Sequence, residues 1–346
     1  MTFKEINWYG WSNTESGYGI VNLEYSTALQ RNGVDVYYGW ERPEHLPEQA
    51  VAKFTDEQKK LLSKPFVQKD IGIIKTTPEM FFHNVSPYRI GYTMVENTRI
   101  GKKWTDWCND MDMIMVPSEY LISVFEESGV KKRVINVKQG VDTRRYKPIT
   151  RSPKRKFVFG TVGYQDERKN WKDLVTAFSS EFDNNEPVEL WIKNLNPYWV
   201  HTAFQDFRIR VINNLYSFDQ MNTLYSLFDC FIFPSHAEGS GLPPREAMAT
   251  GLPTIVTNWS GLTEISSPTI SYPIQPVAID VPDIRGIEQP GYQARIDVQE
   301  LMYLMRYVYE HQNEAKEKGK KAAEFIQKEY SWDACAQDMI KKMEAL

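Results

Sequence analysis

The stretch FIFPSHAEGSGLPPREAMATGLPTIV, residues 231–256, decides how this chain is read. Phe231, Ile232 and Phe233 form an unbroken apolar run, as expected of a parallel strand covered on both faces. Pro243 and Pro244 suit the first positions of a helix, where a missing N–H costs nothing. REAMAT continues that helix, Gly251 suits a left-handed C-terminal position, and Pro253 prevents continuation. Thr254–Thr257 then reads as the next parallel strand. AEGSGL becomes the loop at a strand's carboxyl end, where open α/β sheets bind ligands. Gly239 and Gly241 let backbone N–H groups approach a ligand with no Cβ in the way. The helix start adds unpaired donors and a positive dipole end, which suit phosphate or sugar oxygens. Glu238 falls in the loop and Glu246 in the expected first helical turn, so both can face one crevice. A carboxylate accepts two hydrogen bonds at once, matching the vicinal diol of a ribose or a hexose. A site for a sugar, a diphosphate and a ribose is a nucleotide-sugar site.

Outward from this stretch, short β-rich runs alternate with helical ones along 346 residues, more than one core usually organises. INWYGW (6–11), a helix over 21–31 stopped by Gly33, and VDVYYGW (34–40) make a βαβ unit whose first turn holds Gly17 and Gly19. Strands are expected at 70–75, 88–95, 112–118 and 134–140, with a helix over 119–129. The polar, basic KPITRSPKRK (147–156) reads as a linker. The pattern then restarts: strands at 157–163, 188–194, 210–215, 230–235, 253–257 and 269–274, and a helix over 171–182. Two doubly wound parallel sheets follow from this repetition, an α/β chain of two Rossmann-like domains. The expected division is 1–150, 151–330 and a closing helix over 331–346 with Ser331 as its N-cap. Residues 273–296 read as a long loop, and 297–330 as two amphipathic helices joined near Gly319, or one interrupted.

Composition excludes other classes. The net charge is −4, with 42% hydrophobic and 25% charged residues, ordinary for a globular protein. Three widely spaced cysteines suggest neither a disulfide framework nor a zinc site. No apolar run approaches a membrane span, and MTFKEINWYGWSN lacks the pattern of a signal peptide, so a cytoplasmic location is expected. Charge is uneven: residues 1–156 carry a net +5 and the remainder −9. Residues 131–156 hold eleven basic residues against one acidic residue, Asp142. That run is either a solvated linker with helix ends or a face for peripheral contact with anionic headgroups or a phosphorylated acceptor. No nucleic-acid motif accompanies it.

EGSGLPPREAMATGLPTIV resembles the E-x7-E signature of the retaining glycosyltransferase family 4, of GT-B fold. VPSEYLISVFEESGV, QGVDTRRYKP, FGTVGYQDERKNWKDLVTAF and the terminal YSW helix resemble further family segments along nearly the whole chain. The resemblance implies transfer of a hexose from a UDP or GDP sugar to a hydroxyl of a glycan, glycolipid or other glycoconjugate, with retention at the anomeric carbon. It implies that Glu246 holds the ribose hydroxyls, Glu238 the transferred sugar, and the Gly239, Ser240, Gly241 and Leu242 amides the sugar and phosphate. Lys169, with Arg168, would neutralise the diphosphate leaving group, the main catalytic device; Gly163 would line the donor site, and the Gly17–Gly19 loop would approach it. Two positions depart from the family. Tyr164 follows Gly163 where an arginine is common, and Glu96 stands where relatives often carry a histidine, placing Glu96 near the reacting carbon or the acceptor. Asp110-Met111-Asp112 spells the metal signature of a different glycosyltransferase fold, but it precedes a strand inside a βα repeat. No metal or other cofactor is expected. Trp8, Trp191 and Trp332 are expected in the core, and Trp11, Trp104, Trp107 and Trp259 by a cleft. A phosphorolytic or epimerising GT-B enzyme, or a member that binds glycans without turnover, remains open as an alternative.

Overall fold

The computed structural model describes residues 3–13, 16–40, 48–151, 155–195, 206–214, 216–282 and 291–345. These divide into two compact units, one drawn from Met1–Gly140, Ile284–Gly291 and Glu329–Leu346, the other from Val141–Asp283 and Tyr292–Lys328.

The first unit runs β1 (Glu5–Tyr9), α1 (Gly17–Arg31), β2 (Asp35–Tyr38), α2 (Glu48–Val51), α3 (Asp56–Leu62), β3 (Ile71–Lys75) and β4 (Tyr88–Tyr92). It continues with α4 (Lys102–Asn109), β5 (Met113–Val116), α5 (Glu119–Glu127) and β6 (Arg133–Asn136). The strands form one parallel sheet in the order β2-β1-β3-β4-β5-β6. Ser16 starts α1 by accepting the Gly19 amide at 3.1 Å, and Gly33, at φ 90°, turns the chain out of it. Trp104 belongs to the apolar core of this unit with Ile114, Leu121 and Phe125, not to a cleft.

The second unit runs β7 (Phe157–Gly163), α6 (Trp171–Glu181), β8 (Val188–Asn194), β9 (Ile209–Ile212), α7 (Phe218–Ser226) and β10 (Cys230–Phe233). Then come α8 (Leu242–Ala249), β11 (Thr254–Thr257), β12 (Tyr272–Ile274), β13 (Pro276–Pro282) and β14 (Tyr292–Ile296), closed by α9 (Val298–Glu310) and α10 (Gln312–Glu329). Its parallel sheet is ordered β12-β11-β10-β7-β8-β9. Both sheets are thus parallel α/β layers with helical crossovers.

Three further sequence expectations need correction. Residues 273–296 are not one long loop: β13 and β14 pair antiparallel, Pro276 against Ile296 through Pro282 against Tyr292, with Asp283–Pro290 outside the described residues. Pro276 and Pro282 fall at the two ends of β13, where a missing N–H is tolerated. Gly319 does not join two helices. It lies inside α10, where a Cβ would overlap the Gly251 carbonyl, so the glycine lets the helix press onto the turn after α8. The break falls at His311 instead. Glu246 lies beyond the first turn of α8, since Leu242 rather than Pro243 is the first helical residue.

After α10 the last helix, α11 (Trp332–Glu344), packs within the first unit. Ser331 caps it by accepting the Ala334 amide. The Tyr25 and Trp332 rings meet edge-on at 5.5 Å, Tyr25 Oη donates to Cys335 O at 3.0 Å, and Arg31 pairs with Asp333 at 2.9 Å. This cover explains why α1 is buried nearly all round, between the sheet and α11.

Candidate functional site

In the second sheet the chain steps from β7 outward to β8 and β9, then crosses back to β10 on β7's other side. The β7–β10 boundary is where strand order reverses, the place at the strands' carboxyl ends where open α/β sheets take ligands. Loop 164–170 and loop 234–241 are those two loops, and they carry Arg168, Lys169 and Glu238.

The loops are laced together. The Ser235 hydroxyl donates to Glu238 Oε1 at 2.9 Å and lies 3.0 Å from Arg168 O, while the His236 amide donates to Arg168 O at 2.7 Å. Arg168 Nη1 donates to Ala237 O at 2.6 Å and to Glu238 Oε1 at 2.5 Å, and Lys169 Nζ donates to the same carboxylate oxygen. Lys169 also lies 4.8 Å from the Phe233 ring centre. Burial alone would raise the Glu238 carboxyl, but the Arg168 and Lys169 charges outweigh it and bring it down to about 2. Glu238 is therefore an ionised carboxylate holding two cations at the switch point. Its own amide donates to Ser260 Oγ at 2.9 Å and its carbonyl accepts from Gly261 N at 2.9 Å. Asn170 and Ser260 are the only non-glycine residues at positive φ among those described, both at 55°, and both sit beside this cluster. Such backbone strain is tolerated where surrounding bonds hold it.

Loop 238–241 reaches α8 through Gly241, whose φ of 83° suits glycine. The fully buried Arg245 takes the carbonyls of Ser240 and Gly241 and the Ser240 hydroxyl, drawing these acceptors toward the helix. Among the described residues the amides of Gly239, Ser240 and Gly241 donate to no other group. They join the Leu242 amide as potential donors to an oxygen-rich ligand; Pro243 and Pro244, next in the helix, have no N–H to offer. Gly251 has φ 78° and ends α8 as the sequence predicts. Gly163, the last residue of β7, stands against the Lys169 side chain, where an added Cβ would make only ordinary contact at 3.5 Å.

Glu246 has different surroundings. Tyr225 Oη on α7 donates to its Oε2 at 2.8 Å, and the Tyr146 ring packs edge-on to Tyr225 at 5.7 Å. Burial raises the Glu246 carboxyl to about 7, Tyr225 opposes the rise and the Asp142 charge adds to it. The two glutamates thus share a loop and helix but have opposite electrostatics. Tyr225, Ser235 and Ser260 are contributors that the sequence reading did not single out, and Asp142 was noted there only as the acidic residue of the basic run. Ser235 had a signal, since Pro-Ser follows β5 as VPS and β10 as FPS.

Gly17, Gly19 and Glu96 belong to the first unit. Gly17 and Gly19 form the first turn of α1, and a Cβ on Gly19 would overlap Asn13 O. Asp112 accepts the Arg89 amide at 2.7 Å at the entrance to β5. Among the described residues no cluster of three or more His, Cys, Asp or Glu is placed to hold a metal ion. Nor is any described helix long and apolar enough to cross a membrane.

Residues 142–271 match the family model of glycosyl transferases group 1. That span contains the whole Arg168–Lys169–Glu238 cluster, α8 and Glu246. A curated relative, the serotype-specific mannosyltransferase WbdA of Escherichia coli, is 47% identical over 47 residues, 14% of this chain and 6% of that protein's length. Solved structures share the fold across the chain. Sucrose-phosphate synthase from Thermosynechococcus elongatus superposes with a TM-score of 0.72 at 13% identity, covering 99% of this chain and 98% of its own. A glycosyltransferase from Rickettsia africae gives 0.67 at 11% identity, covering 100% and 99%. HepE of Anabaena, in complex with UDP and glucose, gives 0.65 at 13% identity, covering 99% and 100%. The fold is GT-B, and within its second unit residues 142–271 are similar to the group 1 glycosyl transferases.

Proposed function

We propose that this chain is a retaining glycosyltransferase of the E-x7-E type that moves a hexose from a nucleoside diphosphate sugar to a hydroxyl acceptor. The observation that carries the reading is the pair of cations at the switch point, Arg168 and Lys169, held by Glu238 beside the start of α8. Departure of a nucleoside diphosphate builds negative charge, and pre-positioned cations and amides lower the barrier by meeting it. In this reading Arg168 and Lys169 face the diphosphate, the Gly239–Leu242 amides its oxygens and those of the sugar, and Glu246 the ribose hydroxyls. Retention rests on the resemblance of residues 238–256 to the family signature. The cations supply the charge that a metal supplies in other transferases, so transfer is expected to survive chelation.

Both UDP and GDP donors stay in view: HepE was solved with UDP and glucose, and WbdA is a mannosyltransferase. Calorimetric titration with UDP-glucose, UDP-N-acetylglucosamine and GDP-mannose tests the reading, followed by nuclear magnetic resonance of the product anomer. Binding of one nucleotide sugar at micromolar to millimolar levels and an axial product from an axial donor are expected. Absence of binding by all three, or an inverted product, would refute it.

A further inference from the structure

The first sheet reverses its strand order too: β1 leads to β2 on one side, while β3 lies on the other. Lys75 ends β3 at this second switch point, one residue past the Tyr9–Ile74 pair, level with the exit of the chain from β1. Lys75 is 0% exposed, and among the described residues its Nζ has no hydrogen-bond partner. The ammonium lies 4.1 Å from the centre of the Tyr18 ring and 4.8 Å from that of Tyr92. Tyr18 is in the first turn of α1, so the positive end of that helix lies close by. The neighbouring Thr76 is also 0% exposed, with an unpartnered Oγ1 among the described residues.

A buried amine without a partner costs stability that a methionine of similar size would not. Burial pulls its pKa down to about 7, with the Glu96 charge working the other way through space. Open α/β sheets take ligands at this place, and the groups gathered here are an ammonium, a hydroxyl and a helix N-terminus. All three favour an anion.

We propose that Lys75 anchors an anion-binding subsite on the first unit, which takes a carboxylate or phosphate group of the acceptor. This deepens the transferase reading by naming a chemical class for its acceptor, and it rests on that reading. Glucuronate and inorganic phosphate represent the two sources, and glucose is the neutral control. Binding of each to the full chain is measured by calorimetry at constant ionic strength, for wild type, Lys75→Met and Lys75→Gln, with folding checked by circular dichroism. At least one anion is expected to bind wild type tenfold or more tightly than either variant, while glucose does not distinguish them. A glucuronate response assigns an acidic sugar, and a phosphate response a phosphorylated acceptor. Phosphate captured by Arg168 and Lys169 persists in the variants, so only the difference counts. Equal affinity of both anions in wild type and variants overturns the proposal, as does glucose binding wild type as tightly as both anions. Loss of UDP binding in Lys75→Met also overturns it, by making Lys75 a donor contact. If neither variant folds, the preference for an anion over glucose is measured in Arg168→Ala/Lys169→Ala, which cannot capture the anion at the donor site; its presence supports the proposal and its absence overturns it. No nucleotide sugar enters the anion measurements, so their failure leaves the donor reading standing, and failed donor binding leaves the anion result intact.

Discussion

Replacing Glu238 with glutamine tests whether the carboxylate is the counter-charge of the site. The side chain keeps its shape, but Arg168 and Lys169 lose the anion between them. The Glu238 carboxyl sits at about 2 against an ordinary 4.5. At about 1.4 kcal/mol per pKa unit, that difference corresponds to roughly 3 kcal/mol of stability near neutral pH. An independent figure agrees, since removing one partner of a buried ion pair costs about 3–5 kcal/mol. In a domain the size of the second unit, about 3 kcal/mol lowers Tm by roughly 6–12 °C. The sign with pH follows from the depressed carboxyl. Wild type has the full contribution above the unfolded value near 4.5 and loses it as pH falls through about 2, so the gap between wild type and Glu238→Gln closes in acid. Thermal denaturation at pH 7 and across pH 2–5, with and without UDP, measures all of this. UDP should restore more stability to the variant than to wild type, because its diphosphate fills the place of the missing charge. A fall in Tm below about 2 °C at pH 7, or a gap that persists at pH 2, would refute the assignment.

Lys169→Ala should lower kcat by about a hundredfold or more, with a smaller change in donor Kd, since its charge matters most as the diphosphate departs; steady-state kinetics paired with calorimetry separates the two. Glu246→Gln should weaken nucleotide binding yet raise Tm at pH 8. The raised Glu246 carboxyl costs stability as pH climbs from about 4.5 to about 7, a cost the amide does not carry. A Tm difference that does not grow over that range would count against it. Gly319→Ala should destabilise despite alanine's higher helix propensity, because its Cβ would overlap the Gly251 carbonyl; a higher Tm would show that α10 does not press on that turn.

The βα alternation was legible because parallel strands buried on both faces are continuous apolar runs. β7 and β8 fall on the residues expected, 157–163 and 188–194. What escaped was α3, α4, α7 and the β13–β14 pair. α3 and α7 each open with a capping box, Thr55 with Gln58 and Ser217 with Gln220, which residue spacing alone offered as a signal. α4 starts at Gly101 with no side-chain cap, so its start carries no such mark. In the site, Glu238, Arg168 and Lys169 were all named from sequence. That one oxygen of Glu238 serves both cations is a product of strand order, because β7 and β10 are neighbours only in the folded sheet. Tyr225 is likewise 21 residues from Glu246 in sequence, and only the packing of α7 against α8 brings its hydroxyl to that carboxylate. Lys75 was passed over because a lysine ending a strand resembles a solvated residue until the neighbouring helices are in place.

The eight-residue spacing of Glu238 and Glu246 suggests a matched pair, and the structure argues against treating them as one. Glu238 precedes α8 and reaches the loop after β7, where two cations keep it ionised. Glu246, one and a half turns into the helix, reaches α7 and meets only a tyrosine hydroxyl, with Asp142 acting on it through space. An acid/base pair also needs unlike protonation, so the shifted values alone would permit one. The loop geometry weighs the other way: Glu238 Oε1 already accepts three hydrogen bonds, and its ionisation is tied to the cations that would meet a diphosphate. Proton transfer through Glu238 would require breaking that cluster at the step where its cations are needed. In the proposed reading the helix separates two tasks: its N-terminal side arranges charge, and its second turn would present a carboxyl of adjustable protonation to a diol.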